Sequence, residues 1–298
     1  MTDISISNLK KAFHGKVVLD IPQFTASKSE IISVLGVNGA GKSTFIKTIS
    51  GLLLQDEGQV NICGYSNFSP KIHQVTKFVL ESGKGYYDYL TANQNIDYFL
   101  KLNKASRSDL ALNIAVLFQK LDFQQHADTL VSELSQGTRQ KLSLIIALLC
   151  RPEVLCLDEP TNGLDVIAKK QLAQILLGLS KGKNTIVLLT THDISFARDI
   201  SSRVLVMDNG RIKKDDSFEH VFSRKNTWKK YEIVLPLSFQ NIIEQSFQNL
   251  HYVIQDEEMI IQTQEKDVKD RLLKETDIVR FEEIEQDIEE ILYEVLSK

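Results

Sequence analysis

Three groups of residues in this chain have the types and spacing to do chemistry on a phosphate. The first is Gly36-Val37-Asn38-Gly39-Ala40-Gly41-Lys42-Ser43-Thr44, which fits G-x-x-x-x-G-K-[ST] at every fixed position. Glycines at that spacing let the backbone curl around a polyphosphate with its N–H groups turned inward, and a helix N-terminus adds partial positive charge. Lys42 would reach the outer phosphates and the Ser43 hydroxyl can ligate Mg²⁺. The second group is Asp158-Glu159, at the end of the apolar run Val154-Leu155-Cys156-Leu157. Asp158 is suited to hold Mg²⁺ through its water shell, and Glu159 to orient or deprotonate an attacking water. Two acids can simply end a strand, but a phosphate loop upstream weighs against that blander reading. The third is His192, in Thr190-Thr191-His192-Asp193 after the apolar run Thr185–Leu189. The sum is a nucleoside-triphosphate site.

These groups need a common platform. Ile31–Leu35 reads as a buried strand leading into the loop, and a helical pattern runs from the loop to Gly51. Ligands bind at the carboxyl ends of strands in a parallel sheet, so runs ending at Leu35, Leu157 and Leu189 deliver all three groups to one edge. Before them, Ile4, Ile6 and Leu9 and the stretch Val17–Ile21 predict a β-rich lead-in, with Phe13 between, 23 positions ahead of Gly36. Gly58–Ile62 and Lys77–Leu80 also look like strands. The loop Glu81–Thr91 is broken by glycine and holds Tyr86, Tyr87 and Tyr89. Residues 92–149 lose β-branched density and gain helical spacing. Leu134-Ser135-Gln136-Gly137-Thr138 opens the last helix of that stretch, with Ser135 as its N-cap. A helix over Val166–Leu179 and a closing hairpin, Arg203–Met207 and Arg211–Lys213 around Asn209-Gly210, complete the pattern.

Bulk properties divide the chain. With 298 residues and 43% hydrophobic content it can build a full core and a second, smaller unit. Net charge is −4, but residues 226–298 carry 8 Lys and Arg against 17 Asp and Glu, a balance of −9, while residues 1–225 carry 27 against 22, or +5. A boundary near Asn226 follows, and the acidic tail disfavours nucleic acid as a partner. In that tail Tyr231–Leu235, Tyr252–Ile254 and Met259–Thr263 read as short strands. Phe281, Ile284, Ile288, Ile291, Leu292 and Val295 predict one face of an amphipathic helix. Met1–Lys11 lacks the apolar core of a signal peptide, and the uncharged run Leu142–Cys150 falls well short of a membrane span. Cys63, Cys150 and Cys156 show no metal-site spacing and suit a reducing compartment.

Taken together the segments resemble the ATP-binding subunit of an ABC transporter, over about residues 2–225. The order carries the resemblance: G-V-N-G-A-G-K-S-T at 36–44, the signature L-S-Q-G-T at 134–138, V-L-C-L-D-E-P at 154–160, the D-loop G-L-D at 163–165, and His192 as the switch histidine. The resemblance implies an α/β P-loop NTPase cassette with a mixed-sheet core, a β-rich N-terminal subdomain and a helical subdomain at about 90–150. A small acidic α+β domain would follow at 226–298. It implies ATP and Mg²⁺ as cofactors, Phe13 stacked on adenine, and Gly36, Asn38, Gly39, Ala40, Gly41, Lys42, Ser43 and Thr44 around the phosphates. Two cassettes would pack head to tail, identical or paralogous, so that Ser135 and Gly137 of one copy face the ATP held by the other. Asp165 would align the opposite protomer. Glu159 and His192 would be catalytic; Ser43 and Asp158 would serve the metal.

Two positions depart from the family pattern. The signature has Gln136 and Thr138 where a glycine and a glutamine are usual. Glu81 stands where the family has a glutamine that touches Mg²⁺ and the attacking water, so here a carboxylate would take the catalytic and metal-binding role. The tyrosine-rich loop lies where a membrane partner would dock, although local packing explains it equally well. The tail is similar to extensions on exporter subunits whose permease is a separate polypeptide. The expected function is therefore the ATP-hydrolysing motor of an exporter, peripheral on the cytoplasmic face of the membrane and bound to a multi-spanning permease. The alternatives are a soluble single-cassette ATPase acting on a protein complex, or a regulatory subunit that binds ATP without turnover.

Overall fold

Strand β1 (Ile4–Phe13) buries Ile4, Ile6 and Leu9 along one face, turns at His14-Gly15, and returns as β2 (Lys16–Ala26). The second strand runs well past the apolar stretch Val17–Ile21: after the exposed pair Pro22-Gln23 shifts the alternation by one residue, Phe24 and Ala26 are buried again. The chain then enters β3 (Ile31–Leu35), the phosphate loop and helix α1 (Lys42–Ile49). Strands β4 (Glu57–Ile62) and β5 (Tyr65–Ser66) join the first two in an antiparallel sheet of order β2-β1-β4-β5. A single turn α2 (Ile72–Val75) leads into β6 (Thr76–Val79). The computed structural model describes residues 3–81, 85–222, 230–247, 250, 252–255, 258–263 and 266–284.

Helices α3 (Ala92–Leu102), α4 (Arg107–Lys120) and α5 (Gln136–Leu149) form the expected helical insertion. Thr91 caps α3 in a capping box with Gln94, and Ser135 caps α5 by accepting the Thr138 N–H. The chain continues through β7 (Val154–Asp158), α6 (Val166–Lys183), β8 (Ile186–Thr190), α7 (Ile194–Ile200), β9 (Arg203–Asp208), β10 (Arg211–Asp216) and the short α8 (Phe218–Val221). The second sheet has order β10-β9-β3-β8-β7-β6, parallel throughout except for the edge strand β10. Asn209 and Gly210, both at positive φ, make the hairpin turn into that edge.

Period-two alternation on the parallel strands explains the layers. Ile186, Leu188, Val154 and Cys156 pack with α1 and the antiparallel sheet, whereas Val187, Leu189, Leu155 and Leu157 pack with α5, α6 and the rest of the helical side. Strands β3, β7 and β8 are buried at every position, as a parallel sheet covered on both faces requires. Helix α1 is thus clamped between two sheets, with Phe45 against Phe24 in an edge-to-face contact at 5.4 Å. That clamp fixes the loop at its N-terminus. Among the described residues no helix is long and apolar enough to cross a membrane.

The chain divides into units Met1–Val221 and Phe222–Lys298, a few residues before the change in charge. The second unit runs β11 (Lys230–Pro236), α9 (Gln240–Ser246), β12 (Tyr252–Gln255), β13 (Glu258–Thr263), α10 (Lys266–Glu275) and β14 (Arg280–Ile284). Its sheet order is β12-β13-β11-β14 with every neighbour antiparallel, the split βαβ arrangement of ferredoxin-like folds. Two helices appear where the sequence pattern gave none, α9 burying Ile243 and α10 burying Leu272 against Ile233, Leu235, Met259 and Ile261. The amphipathic helix expected from Phe281 onward is corrected at its start. Phe281 lies in β14, paired with Ile233 and stacked on Tyr231 at 5.9 Å, and Ile284 ends the same strand. A three-residue spacing fits one face of a helix, but here both residues belong to an extended strand. Ile288, Ile291, Leu292 and Val295 lie outside the described residues.

Candidate active site

Two glycines shape the loop between β3 and α1: a Cβ on Gly36, at φ +152°, would stand 2.2 Å from the Met207 carbonyl oxygen, and Gly41 is constrained as well. Gly41 is the N-cap of α1 at φ +99°, and a Cβ there would stand 3.0 Å from the Val18 carbonyl oxygen of β2. Only glycine combines that conformation with that closeness. Gly36 and Ala40 are buried, Asn38 and Gly39 are exposed, and Ala40 accepts a hydrogen bond from the Gly210 N–H at 2.9 Å. Lys42 is buried and its Nζ donates to the carbonyls of Gly36 at 2.7 Å and Val37 at 3.1 Å, so the loop's own backbone holds a cation in its concavity. Burial lowers the Lys42 pKa, and the carboxylates of Glu159 and Asp158 oppose that shift. Thr44 is part of the same first turn, its carbonyl accepting from Thr48.

Strands β7 and β8 bring the acids to the loop. The Ser43 hydroxyl donates to Asp158 Oδ1 at 2.7 Å, and Thr190 donates to the same oxygen at 2.8 Å. Lys47 Nζ lies 3.5 Å from Asp158 Oδ2. Glu159, only 6% exposed, sits at φ +48°, a left-handed conformation that a non-glycine residue adopts at a cost of about 1–3 kcal/mol. Its N–H donates to the Thr190 hydroxyl at 3.0 Å. Its carboxylate accepts from the His192 backbone N–H at 3.2 Å, and His192 Nε2 stands 3.2 Å from Oε1. Burial pushes the Glu159 carboxyl up to about 7, against the His192 N–H and Lys42, with Asp158 and Glu81 adding to the rise. A carboxylate poised there exchanges a proton readily at neutral pH. Thr190 had no role in the sequence reading; its only signal was its place at the end of β8, one strand over from Asp158.

Glu81, exposed just beyond β6, accepts a hydrogen bond from Asn162 Nδ2 at 3.1 Å. Asn162 is a second residue that spacing alone did not single out. Asp165 caps α6 through the Ala168 N–H at 2.8 Å. Ser135 and Gly137 are engaged away from the phosphate loop of their own chain. Ser135 serves Thr138, and a Cβ on Gly137 would meet the Gly163 carbonyl oxygen at 2.3 Å. The signature glycine therefore has a packing reason inside one chain, because helix α5 starts directly against the D-loop backbone. Phe13 ends β1 with 42% of its surface open, and the Lys11 ammonium lies 5.4 Å from its ring centroid. It is an exposed aromatic rather than a core residue.

Oxygen donors fit Mg²⁺: a serine hydroxyl and a carboxylate meet at the loop, and a lysine ammonium already stands against the outer carboxylate oxygen. No set of three or more His, Cys, Asp or Glu side chains among the described residues is arranged to hold a metal alone. The loop Tyr86–Leu90 is pinned to α3 by Asn95, which accepts from the Tyr87 N–H at 2.9 Å and donates to the Tyr87 carbonyl at 3.0 Å. Tyr87 packs edge-on to Tyr98 at 4.8 Å and Tyr89 at 5.7 Å, leaving Tyr89 73% exposed.

Comparison with known proteins agrees with this geometry. The family model described as ABC transporter matches residues 19–162. An uncharacterized ABC transporter ATP-binding protein, YdbJ of Bacillus subtilis (strain 168), is 31% identical over 218 residues, covering 72% of this chain and 70% of its own. The chain belongs to the ABC transporter ATP-binding family. As a family member it is an ATPase subunit of a transporter. The tungstate uptake system ATP-binding protein TupC of Peptoclostridium acidaminophilum is 29% identical over 215 residues, covering 72% of this chain and 99% of its own. The bacitracin transport ATP-binding protein BcrA of Bacillus licheniformis is 29% identical over 267 residues, covering 87% of this chain and 84% of its own. Among solved structures, a dimeric ATP-binding cassette in a post-hydrolysis state bound to ADP and Pi superposes with a TM-score of 0.65 at 22% identity, over 72% of this chain and 98% of that one. That superposition establishes the cassette fold.

Proposed function

We propose that the chain is the motor of an exporter, closing head to tail with a second cassette around two ATP molecules and driving a separately encoded, multi-spanning membrane permease. The observation that carries the reading is the buried Glu159, with its carboxyl near neutrality between Lys42 and His192. In this mechanism Phe13 stacks on adenine, and Gly36 through Thr44 bind the phosphates with Lys42. Glu159 takes the proton of the attacking water, and His192 steadies that carboxylate and senses the outer phosphate. Ser43, Asp158 and Glu81 would hold Mg²⁺, which when bound offsets charge on the phosphate oxygens. Ser135 and the Gly137 backbone close over the partner's nucleotide and Asp165 aligns the two copies.

The export direction draws support from the tail. The bacitracin transport relative matches 87% of this chain, more than the first unit alone supplies, whereas the tungstate uptake relative stops at 72%. The aromatic cluster of Tyr87, Tyr89 and Tyr98 is the surface proposed to receive the permease, which would seat the chain on the cytoplasmic face of the membrane. Glu159→Gln tests the motor: hydrolysis should vanish while ATP binding persists and a dimer accumulates on gel filtration. Hydrolysis at the wild-type rate would refute it. Direction is read in inside-out vesicles carrying the permease captured with the tagged chain. Added ATP should load cargo into the lumen, and emptying of the lumen would mean uptake.

A further inference from the structure

The segment behind β6 and the segment behind β7 leave neighbouring parallel strands and are joined by one side chain. Asn162 donates its backbone N–H to the Glu159 carbonyl at 3.2 Å and its side-chain amide to Glu81 Oε1 at 3.1 Å, across 81 positions of sequence. We propose that Asn162 is a positioning residue that holds the Glu81 carboxylate at the site and ties it to the turn carrying Glu159. The inference rests on the ATPase reading above and names a residue that reading does not use.

The electrostatics give the reason for an asparagine. Glu81 is close enough to Glu159 to be one of the charges raising its pKa, and Asp158 adds a third carboxylate beside the single buried ammonium of Lys42. An exposed glutamate in that field gains by turning outward to water, where its charge is screened. A lysine or arginine partner would hold it inward but would also cancel its charge. An amide donor holds the carboxylate by a charge-assisted hydrogen bond and leaves the charge intact for a metal or a water. The backbone bond from the same residue to the Glu159 carbonyl makes the tether short. Glu81 moves outward only by giving up its hydrogen bond from Asn162, which leaves the turn of residues 159–164, closed by the Leu164 N–H on the Thr161 carbonyl at 3.2 Å, without its side-chain tie. That turn leads directly to Gly163, against which Gly137 packs, and to Asp165. The tether therefore places the segment behind β6 one hydrogen bond away from the turn that packs on the signature helix and leads into the D-loop.

Amide hydrogen exchange in the nucleotide-free, chelator-treated protein tests the tether without any loaded site. Glu81→Ala and Asn162→Ala should each speed exchange at the Leu164 amide, roughly threefold to tenfold, the span expected for a partly exposed hydrogen bond to a charged group. Glu81→Gln keeps an acceptor oxygen but loses the charge, and should exchange at a rate between those of wild type and Glu81→Ala. Asn162→Asp sets two carboxylates face to face and should be fast, and adding Glu81→Gln reverses donor and acceptor and should restore the slow rate. Positioning is read separately: Mn²⁺ affinity with a non-hydrolysable ATP analogue should fall severalfold in Asn162→Ala. Wild-type exchange in Glu81→Ala, a double variant as fast as Asn162→Asp alone, or unchanged Mn²⁺ affinity in Asn162→Ala would overturn the inference. Failure of the ATPase reading would show instead as unimpaired hydrolysis in Glu159→Gln.

Discussion

Replacing Glu159 by glutamine should make the nucleotide-free protein more stable, and only at neutral to alkaline pH. In the folded chain burial pushes the Glu159 carboxyl from 4.5 up to about 7. The folded state therefore binds that proton more tightly than the unfolded state. Its contribution to stability is fully present below pH 4.5 and is lost as pH rises through 7. A shift of that size amounts to about 3 kcal/mol in full, and to roughly 2 kcal/mol between pH 5 and pH 8. Glutamine has nearly the same shape and no charge to bury, so the variant escapes the loss. Urea unfolding of wild type and Glu159→Gln should give similar midpoints at pH 5 and a higher midpoint for the variant at pH 8. Titrations elsewhere cancel in the difference between the two proteins. The comparison is repeated in a His192→Asn background, because His192 Nε2 lies 3.2 Å from Glu159 Oε1. A stability difference that stays constant from pH 5 to pH 8, or shrinks, would refute the claim that desolvation sets this carboxyl's pKa.

Two further substitutions test single contacts. Gly137→Ala would bring a methyl to 2.3 Å from the Gly163 carbonyl oxygen and should cost roughly 1–3 kcal/mol in nucleotide-free unfolding, so a wild-type melting profile would show that α5 can shift freely from the D-loop. Phe13→Ala should weaken ATP binding about twofold to tenfold without altering the melting temperature, because the ring is exposed in the free protein, and Phe13→Trp should bind as wild type.

How much of this could be read from the chain itself follows from range. Ser43 and Lys42 were legible because the loop that uses them is one contiguous segment, and the N-cap Ser135 acts within three residues of itself. The strands β3, β7 and β8 were legible because a parallel strand covered on both faces must be continuously apolar. Short alternation was less reliable: β2 ran on to Ala26, and Phe281 and Ile284 entered a strand where helical spacing had been expected. Helices α9 and α10 escaped because each buries few apolar residues against a small sheet.

The sequence by itself determined that a triphosphate loop, two acids and a histidine would share one edge of a parallel sheet, since each follows an apolar strand. Tertiary structure alone decided what tunes them. Whether Glu159 is buried, that Thr190 reaches both Asp158 and the Glu159 N–H, that Asn162 holds Glu81, and that Gly137 must be glycine against Gly163 all depend on distances between segments far apart in the chain. Spacing along the backbone fixes which groups arrive at the edge. Desolvation and hydrogen bonding, which set their protonation and orientation, exist only once the strands have packed side by side.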